Sequence, residues 1–508
     1  MKPPLSERLA RGALGDAAAF AAGAILPLGF APLAWFPLTI LSLVALFALW
    51  LRASPARAAW RGFLFGFGMF AVGVSWVYVS LHNFGNMPMP LATFTVVLFC
   101  AGLALYPLLF GYLQAKLFSG SPRLRVLLVM PALWVMAEWM RAWFLTGFPW
   151  LNLGYSHIDT PLAGFAPWLG VYGVSLVVAM SAGLIVAAWS DRAHAWTRYV
   201  PALVVLWVGG WLAGQPSWVT PVDDTVRVAL VQGNIALGRK WDPRERAAIL
   251  ERYGDLSERA ADARVIIWPE AAIPTYLDRV DPEFLQRLRA RARERNSEIL
   301  AGVVERERAG NRTEVYNSVV RLDAETGTYR KRHLVPFGEF LPLPFLFQWF
   351  IDNFQIPMAD FASGPRAQPL LTVAGQPVGI SVCYEDAFGE EVIESLPRAT
   401  LLINVSEDAW FGDSFAPHQR LQMARLRALE AGRPMLRAAN TGPSALIDHR
   451  GKVVAESAQF RAETLVVTVQ PMQGATPYVR VGNVAIVVLL VGMVAAAWML
   501  GRRIKAAG

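Results

Sequence analysis

Long apolar runs fill the first part of the chain and return near its end, and a charge-rich region separates them. Residues 12–213 and 479–500 are almost free of charge, whereas residues 220–475 mix polar and apolar positions as a soluble domain does. An apolar run of about 20 residues is long enough to cross a bilayer as a helix. The runs predict eight membrane helices, at residues 12–30, 33–51, 62–80, 90–115, 124–144, 165–189, 197–213 and 479–500.

Short β-rich segments alternate with amphipathic helices between the seventh and eighth apolar runs. Strands are predicted in VRVALVQGNI, RVIIWPE, EILAGVV, SVVRLD, VGISVCYED, LLINVSED, MLRAANTG, SALIDHR and LVVTVQP. Helices are predicted over residues 243–263, 282–296 and 417–431. This alternation is typical of an α/β sandwich. We therefore expect a membrane bundle of seven helices in residues 1–219, an α/β domain in 220–475, and the eighth helix with a tail in 476–508.

Lys and Arg residues mark alternate connections between the predicted membrane helices. The connections near Trp35 and over residues 81–89 carry none. The other short connections and the two ends hold Lys2, Arg8, Arg11, Arg52, Arg57, Arg61, Lys116, Arg123, Arg125, Arg192, Arg198, Arg502, Arg503 and Lys505. Basic residues are enriched on the cytoplasmic side of membrane proteins. We expect both termini in the cytoplasm and the α/β domain on the opposite side.

An aromatic segment with several helix breakers, Thr146–Tyr155, follows the fifth predicted membrane helix. It is expected to form an interfacial arm or a re-entrant loop, and an aromatic belt is the alternative. Glu138 and Arg141 lie one helical turn apart near the end of that helix. We expect them to pair with each other, with contact to a lipid headgroup as the alternative.

Composition excludes a wholly soluble protein, since 55% of the 508 residues are hydrophobic and the mean hydropathy is +0.36. The net charge of +8 does not predict nucleic-acid binding, because many basic residues lie between apolar runs and no basic motif is interleaved with aromatics. Cys100 and Cys383 lie in an apolar run and in the α/β domain, so we do not expect a disulfide. The six histidines form no metal-binding motif, and neither a metal nor a cofactor is predicted.

Three reactive side chains follow predicted strands of the α/β domain. Glu270 comes after the apolar strand VIIW, Cys383 follows GISV, and Lys331 lies in the segment YRKRHL. Taken singly, a capping carboxylate, a buried cysteine and a surface lysine are common structural residues. Acyl transfer through a thioester needs a nucleophile, a base and a positive group near the developing oxyanion. Together the three residues supply this chemistry without a cofactor.

At these positions the chain resembles the nitrilase superfamily, which has a glutamate after an apolar strand, a lysine in a Y-x-K-x-H-L context and a cysteine at a strand end. Longer matches resemble its membrane branch, the apolipoprotein N-acyltransferases: Trp268–Glu270, His333–Glu339, Cys383–Glu385 and Asp408–Asp413. The resemblance covers essentially the full length. It implies an αββα sandwich in the periplasm, carried by a multi-pass helical bundle in the bacterial inner membrane.

The resemblance implies a role for each member of the triad. Cys383 would form the thioester, Glu270 would act as the base, and Lys331 would stabilise the tetrahedral intermediate with a backbone N–H near Tyr384. Glu339 resembles the family's supporting carboxylate, and its alternative role is a structural salt bridge.

Further residues are predicted to support the site or contact substrate. Glu385, in the motif that follows the cysteine, is expected to support the triad. Trp241 and Trp150 are candidates for substrate or acyl-chain contact, and either could instead be a core or interface tryptophan. Phe340 begins the aromatic, proline-broken segment that ends at Pro365. We predict a lid there that contacts lipid, with packing on the membrane helices as the alternative.

The substrates also follow from the resemblance. A phospholipid donates its acyl chain to the cysteine, lysophospholipid leaves, and the α-amine of a diacylglyceryl-cysteine at the N-terminus of an apolipoprotein attacks the thioester. Both substrates use the site in turn, so ping-pong kinetics are expected. Membrane lipids are the other expected partners, and we expect a monomer.

Two alternative functions remain open from the sequence. A membrane-tethered nitrilase-type amidase would use the same triad and let water attack the thioester. A transporter with a non-catalytic sensor domain would not need Cys383. Few intramembrane charges line the predicted helices, which argues against ion-coupled transport.

Overall fold

The structure is a computed structural model that describes residues 12–118, 121–222, 224–260, 262–324, 327–342, 345 and 360–507. The chain divides into two compact units. The first unit comprises Met1–Tyr78, Met89–Pro216 and Arg480–Gly508. The second unit comprises Val79–Pro88 and Ser217–Val479.

Helices dominate the first unit and alternate with strands in the second. The longer helices are α1 Ala13–Ile25, α2 Pro37–Leu51, α3 Pro55–Gly73, α4 Met89–Leu117, α5 Met130–Arg141, α6 Ala166–Ser190, α7 Val200–Ala213, α8 Arg246–Glu258, α9 Pro282–Glu294, α10 Phe415–Ala431 and α11 Val484–Ala507. Helices α1–α7 and α11 belong to the first unit, and α8–α10 belong to the second. Each apolar run of the sequence therefore contains a helix.

Fewer of these helices are long enough to cross a membrane than the sequence predicted. Among the described residues, three satisfy both length and apolar composition: α4, Pro161–Ser190, which contains α6, and Val484–Arg503 in α11. A fourth span results if α3 and Trp76–Phe84, bent by 52°, count as one. Helix α2, with 15 residues, extends only about 22 Å at 1.5 Å per residue, short of the roughly 30 Å hydrocarbon core. The predicted count of eight is not confirmed.

A segment that is irregular up to Asn152 and then enters the 3₁₀ helix Leu153–His157 packs inside the first unit over residues 148–155. Most of its side chains are buried, so its backbone polar groups need partners within the protein. The carboxylate of Glu138 accepts a hydrogen bond from the Leu153 N–H at 3.0 Å, and Arg141 donates to the Asn152 side chain at 2.6 Å. The two charged residues that were expected to pair with each other thus bond to this buried segment.

Two six-stranded sheets form the centre of the second unit as far as it is described. The strands are β1 Val219–Pro221, β2 Val226–Gln232, β3 Val265–Ile267, β4 Glu298–Ala309, β5 Arg312–Arg321, β6 Thr328–Arg330, β7 Leu371–Val373, β8 Gln376–Val382, β9 Leu401–Ser406, β10 Met435–Ala439, β11 Ala445–Ile447, β12 Val453–Glu456, β13 Glu463–Val469 and β14 Met472–Gly474. One sheet has the order β13-β2-β3-β4-β5-β6 and the other β12-β11-β10-β9-β8-β7. Strands β1 and β14 form a separate pair.

Strand periodicity explains the layers of this unit. Leu401, Ile403 and Val405 of β9 face the apolar core between the sheets, whereas Leu402 faces the core shared with α10. Helices α8 and α9 pack on the outer face of the other sheet through a third core. The order of layers is helix, sheet, sheet and helix, which confirms the predicted αββα sandwich.

The longest hairpin was only half predicted. Strands β4 and β5 pair from Leu300 with Arg321 to Ala309 with Arg312. The sequence pattern indicated only the apolar halves, EILAGVV and SVVRLD. The outer halves are charged and mostly exposed, so they lack the alternation of a half-buried strand. Gly310, at a φ of +61°, makes the turn between them.

Trp268 lies between the strand β3 and Glu270, and its side chain packs on α8. It therefore tests how much this packing contributes to the stability of the second unit. It is fully buried, stacks on Tyr253 at 5.1 Å, and donates from Nε1 to Ser257 at 2.9 Å. We expect Trp268→Ala to lower the free energy of unfolding by about 3–5 kcal/mol. Thermal unfolding of the purified protein measures this, with exposed Trp241→Ala as the control. Equal stabilities of the two variants would contradict the role of Trp268 as a stabilising core residue.

Candidate active site

The three predicted catalytic residues come together at the ends of strands in the second unit. Glu270 follows β3, Lys331 follows β6, and Cys383 follows β8 of the opposite sheet. The Nζ atom of Lys331 lies 3.9 Å from Oε1 of Glu270, and both charges act on the thiol of Cys383. Side chains from both sheets thus meet at one site.

Cys383 lies at the sharp turn where β8 ends and the short 3₁₀ helix Cys383–Ala387 begins. Its φ of +50° lies in the left-handed region, which costs a non-glycine residue roughly 1–3 kcal/mol. Two side chains hold this backbone: Arg420 donates to its carbonyl at 2.7 Å and Asn404 at 3.2 Å. Burial raises the pKa of the Cys383 thiol to about 11, even though Arg420 opposes the rise. The resting thiol is therefore neutral near pH 7.

Lys331 is buried and held at both its backbone and its ammonium group. Its side chain is 1% exposed, and Nζ donates to Glu339 Oε1 at 2.8 Å. Its N–H donates to the Asn317 carbonyl at 2.7 Å, and its carbonyl accepts from Gly364 N at 2.8 Å. Burial favours the neutral amine, but Glu339 and Glu270 together raise the pKa of Lys331 above its ordinary value. The site therefore contains a permanent cation.

Both carboxylate oxygens of Glu270 have hydrogen-bond donors. Oε1 accepts from Asn317 Nδ2 at 2.7 Å, and Oε2 accepts from the N–H of Glu407 at 2.8 Å. The adjoining strand β4 comes very close, since a Cβ at Gly302 would lie 2.6 Å from the Glu270 Cα. The carboxylate is therefore held by donors from β5 and from the residue after β9, and the Glu270 backbone packs against β4.

A buried ion pair that sequence analysis missed, Lys240–Glu407, contacts the backbone of Glu270. Lys240 Nζ donates to the Glu270 carbonyl at 2.9 Å and forms a salt bridge with Glu407. Asn440 Nδ2 donates to both carboxylate oxygens of Glu407, at 2.9 and 3.1 Å. Glu407 directly follows the mostly apolar strand β9, and a carboxylate at a strand end was the available signal. Lys240 carried none, because it lies in a charged surface segment.

The predicted supporting residues lie around the triad. Glu339 shares Oε1 between Lys331 and Asn317, and its Oε2 accepts from Val335 N at 2.8 Å. Glu339 is ion-paired with Lys331, a contact that either predicted role would make. Tyr384 is buried and packs edge-on against Phe388 at 4.9 Å.

Glu385 joins the segment that carries Lys331 to the turn that carries Cys383. It is 2% exposed, and Oε1 accepts from the N–H groups of Arg332 at 2.7 Å and His333 at 3.1 Å. Its Oε2 accepts from Val382 N at 2.7 Å. One carboxylate thereby fixes the spacing between residues adjacent to the lysine and the cysteine.

The predicted substrate-contact residues have different environments. Trp241 ends the short helix Leu237–Lys240 and is 49% exposed. Trp150 is 2% exposed in the first unit and stacks on Phe148 at 5.0 Å, which is the packing of a core tryptophan. Phe340 is half-buried. Most of the predicted lid, residues 343–344 and 346–359, lies outside the described residues.

Comparison with known proteins identifies relatives over nearly the whole chain. Residues 22–184 match the apolipoprotein N-acyltransferase N-terminal domain, and residues 227–478 match the carbon-nitrogen hydrolase family. The chain is 46% identical over 486 residues to the apolipoprotein N-acyltransferase of Methylococcus capsulatus, with 96% of each chain covered. It is 43% identical to that of Nitrosomonas europaea, covering 96% of this chain and 98% of the other. It is 39% identical to that of Vibrio vulnificus over the full length of both.

The Lys240–Glu407 pair gives a stability prediction. Removing one partner leaves a buried charge, so Glu407→Gln and Lys240→Met should each lower the free energy of unfolding by about 3–5 kcal/mol. The double variant should lose less than the sum of the two, because neither charge remains. Thermal unfolding provides the measurement, and Asp242→Asn, in an ion pair with the 89%-exposed side chain of Arg244, is the control that should change little. Additive losses in the double variant would show that the pair is not coupled.

Proposed function

Because this chain belongs to the apolipoprotein N-acyltransferase family, we propose that it acylates lipoproteins through a thioester on Cys383. The acyl donor is a glycerophospholipid, and the acceptor is the α-amine of an N-terminal diacylglyceryl-cysteine. The observation that carries this mechanism is the meeting of a thiol, a fixed carboxylate and a buried cation at one site, in Cys383, Glu270 and Lys331. A nucleophile, a base and a group that stabilises the oxyanion are what acyl transfer through a thioester requires.

The first half-reaction forms the thioester. Glu270 takes the proton of the Cys383 thiol, and the sulfur attacks the ester carbonyl carbon of the phospholipid. Lys331 stabilises the oxyanion that forms, together with a backbone N–H near Tyr384. When the C–O bond breaks, the leaving alkoxide takes the proton back from Glu270, and lysophospholipid departs.

The second half-reaction regenerates the enzyme. The lipoprotein amine attacks the thioester carbonyl, and Glu270 accepts a proton from the nitrogen. The C–S bond then breaks, an amide forms, and the sulfur of Cys383 recovers its proton from Glu270. One carboxylate therefore acts as base and acid in both halves. The hydrogen bonds from Asn317 and the Glu407 N–H hold it in place for each transfer.

Glu339 and Glu385 act as positioning residues in this mechanism. The 2.8 Å contact from Lys331 to Glu339 holds the cation in place and supports its charge. Glu385 accepts from backbone groups on both sides of the site, which keeps the cation and the nucleophile at a constant separation. Neither residue needs to touch a substrate to perform these roles.

The membrane setting supports a lipid donor. We propose a multi-pass inner-membrane protein, monomeric, with both termini in the cytoplasm and the second unit in the periplasm. An existing ester then supplies the activated acyl group, so no ATP is needed. Trp241, with 49% of its surface exposed, and Phe340 are proposed contacts for the acyl chain or lipoprotein. Hydrolysis as in an amidase is not favoured, since the full-length relatives carry the transferase name.

A two-stage assay tests the mechanism. Incubation of the purified protein with phospholipid labelled in its acyl chain should place the label on Cys383, where hydroxylamine releases it. Adding a diacylglyceryl-cysteine peptide should then move the label to the peptide as an amide. Mass spectrometry of the protein and the peptide follows both stages. Cys383→Ala should abolish both, because it removes the nucleophile.

Two results would contradict parts of this proposal. Labelled peptide from Cys383→Ala at the parent rate would exclude the thioester. Release of free fatty acid without peptide acylation would instead support the hydrolase.

The proposed topology has its own test. In a variant with both native cysteines replaced by alanine, single cysteines are introduced as Arg308→Cys in the second unit and Arg503→Cys near the end of α11, both at exposed positions. A membrane-impermeant maleimide should label the first in intact spheroplasts and the second only after lysis. Labelling in the reverse order would overturn the orientation.

A further inference from the structure

A second cation contacts the nucleophile directly. Nη1 of Arg420, on α10, donates to Sγ of Cys383 at 3.3 Å, and Nη2 donates to the carbonyl of the same residue at 2.7 Å. Arg420 is 1% exposed. One guanidinium therefore holds both the sulfur and the strained backbone of the cysteine.

The guanidinium is fixed by a network behind the sulfur. Arg420 donates to Asp386 at 3.1 Å, to Asp408 at 3.0 Å and to the hydroxyl of Ser406 at 2.5 Å. These partners come from three segments, namely the turn after β8, the turn after β9 and β9 itself. A fixed donor needs no rearrangement when charge develops on the atom it faces.

The two carboxylates of this network are shared with another arginine. Arg437 donates to Asp386 at 3.3 Å and to Asp408 at 2.7 Å, and all these side chains are almost fully buried. Two buried cations therefore balance two buried anions while Cys383 is a neutral thiol. When the thiol ionises, its charge becomes a third anion, and Arg420 is the member of the network that contacts it.

We propose that Arg420 is a catalytic residue of this site, which donates a hydrogen bond to the Cys383 sulfur and stabilises the thiolate. The thiol proton passes to Glu270, and the electron pair remains on the sulfur that Nη1 faces. The assignment of the cysteine as nucleophile rests on the proposed function. Lys331 then stabilises the negative charge on the substrate oxygen, while Arg420 stabilises the negative charge on the sulfur.

Four charged groups act on the thiol from different segments. Arg420 and Lys331 favour the thiolate, whereas Glu270 and Asp408 oppose it. Loss of Arg420 leaves one cation against two anions. The pKa of Cys383 should therefore rise further in such a variant, and the pH at which the cysteine becomes reactive should rise with it.

Alkylation of Cys383 tests this without acyl donor or lipoprotein. The full-length protein in a Cys100→Ala background has one thiol, and its reaction with iodoacetamide is followed against pH. Arg420→Gln should slow alkylation roughly tenfold to a hundredfold near pH 7.5, because a hydrogen bond to a charged group is lost and the thiolate fraction falls. Arg420→Lys should give an intermediate profile, since it retains a charge. Arg425→Gln, on the same helix, should match the parent.

An Arg420→Gln variant that folds and reproduces the parent profile would overturn the proposal. If that variant does not fold, the effect of Arg420 is measured by comparing Asp408→Asn with the double variant Arg420→Gln/Asp408→Asn. The double variant removes a cation and an anion together, so no unpaired buried charge remains from this pair. The double variant should react at higher pH than Asp408→Asn alone, and identical profiles would again overturn the proposal. Because alkylation reports only the thiol, this result is independent of the transferase assay.

Discussion

Burial of charged side chains is the constraint on which the active-site end of the second unit depends. Lys331 is 1% exposed beside Glu270 and Glu339, and an unpaired charge in such a place would cost several kcal/mol. The charges of Lys331 and Glu270 are stable in the interior only while their partners stay close. Those partners come from the ends of strands in both sheets and from the Lys240–Glu407 ion pair. Thus the fold and the site stabilise each other, and disturbing Lys240 or Glu407 should affect both.

The same constraint connects the two sheets. Glu270 follows a strand of one sheet and accepts from the backbone of Glu407, which follows a strand of the other. Glu385 makes a second link of this kind. It follows Cys383 after a strand of one sheet, and its carboxylate accepts hydrogen bonds from the two N–H groups that follow Lys331 after a strand of the other sheet. The apolar core between the sheets sets their spacing, and these carboxylates fix the position of one sheet relative to the other at the active-site end. A shift of one sheet against the other would therefore move the base, the cation and the nucleophile apart at the same time.

The sequence predicted those parts of the protein that depend on local pattern. The alternation of strands and helices predicted the α/β sandwich and placed Glu270, Lys331 and Cys383 at or near strand ends. Their catalytic roles came from the family resemblance and stay predictions. Contacts between distant segments gave no such signal: Lys240 and Glu407 pair across 167 residues, and nothing in either segment indicates the other. Arg420 lay in a predicted helix, where an arginine usually faces solvent. The count of eight membrane helices is not confirmed, because α1, α2, α5 and α7 are shorter in the described chain than the apolar runs that predicted them.

A neutral resting thiol has a consequence for how the site is activated. Burial raises the pKa of the Cys383 thiol to about 11, so the thiol stays protonated at pH 7. The thiolate is the form that oxidants and stray electrophiles attack, so this burial protects the cysteine in the oxidising compartment proposed for this unit. Ionisation then has to be coupled to catalysis, with Glu270 receiving the proton as the sulfur attacks. A cation already in contact with the sulfur would lower the barrier to that step without leaving the thiolate exposed between turnovers.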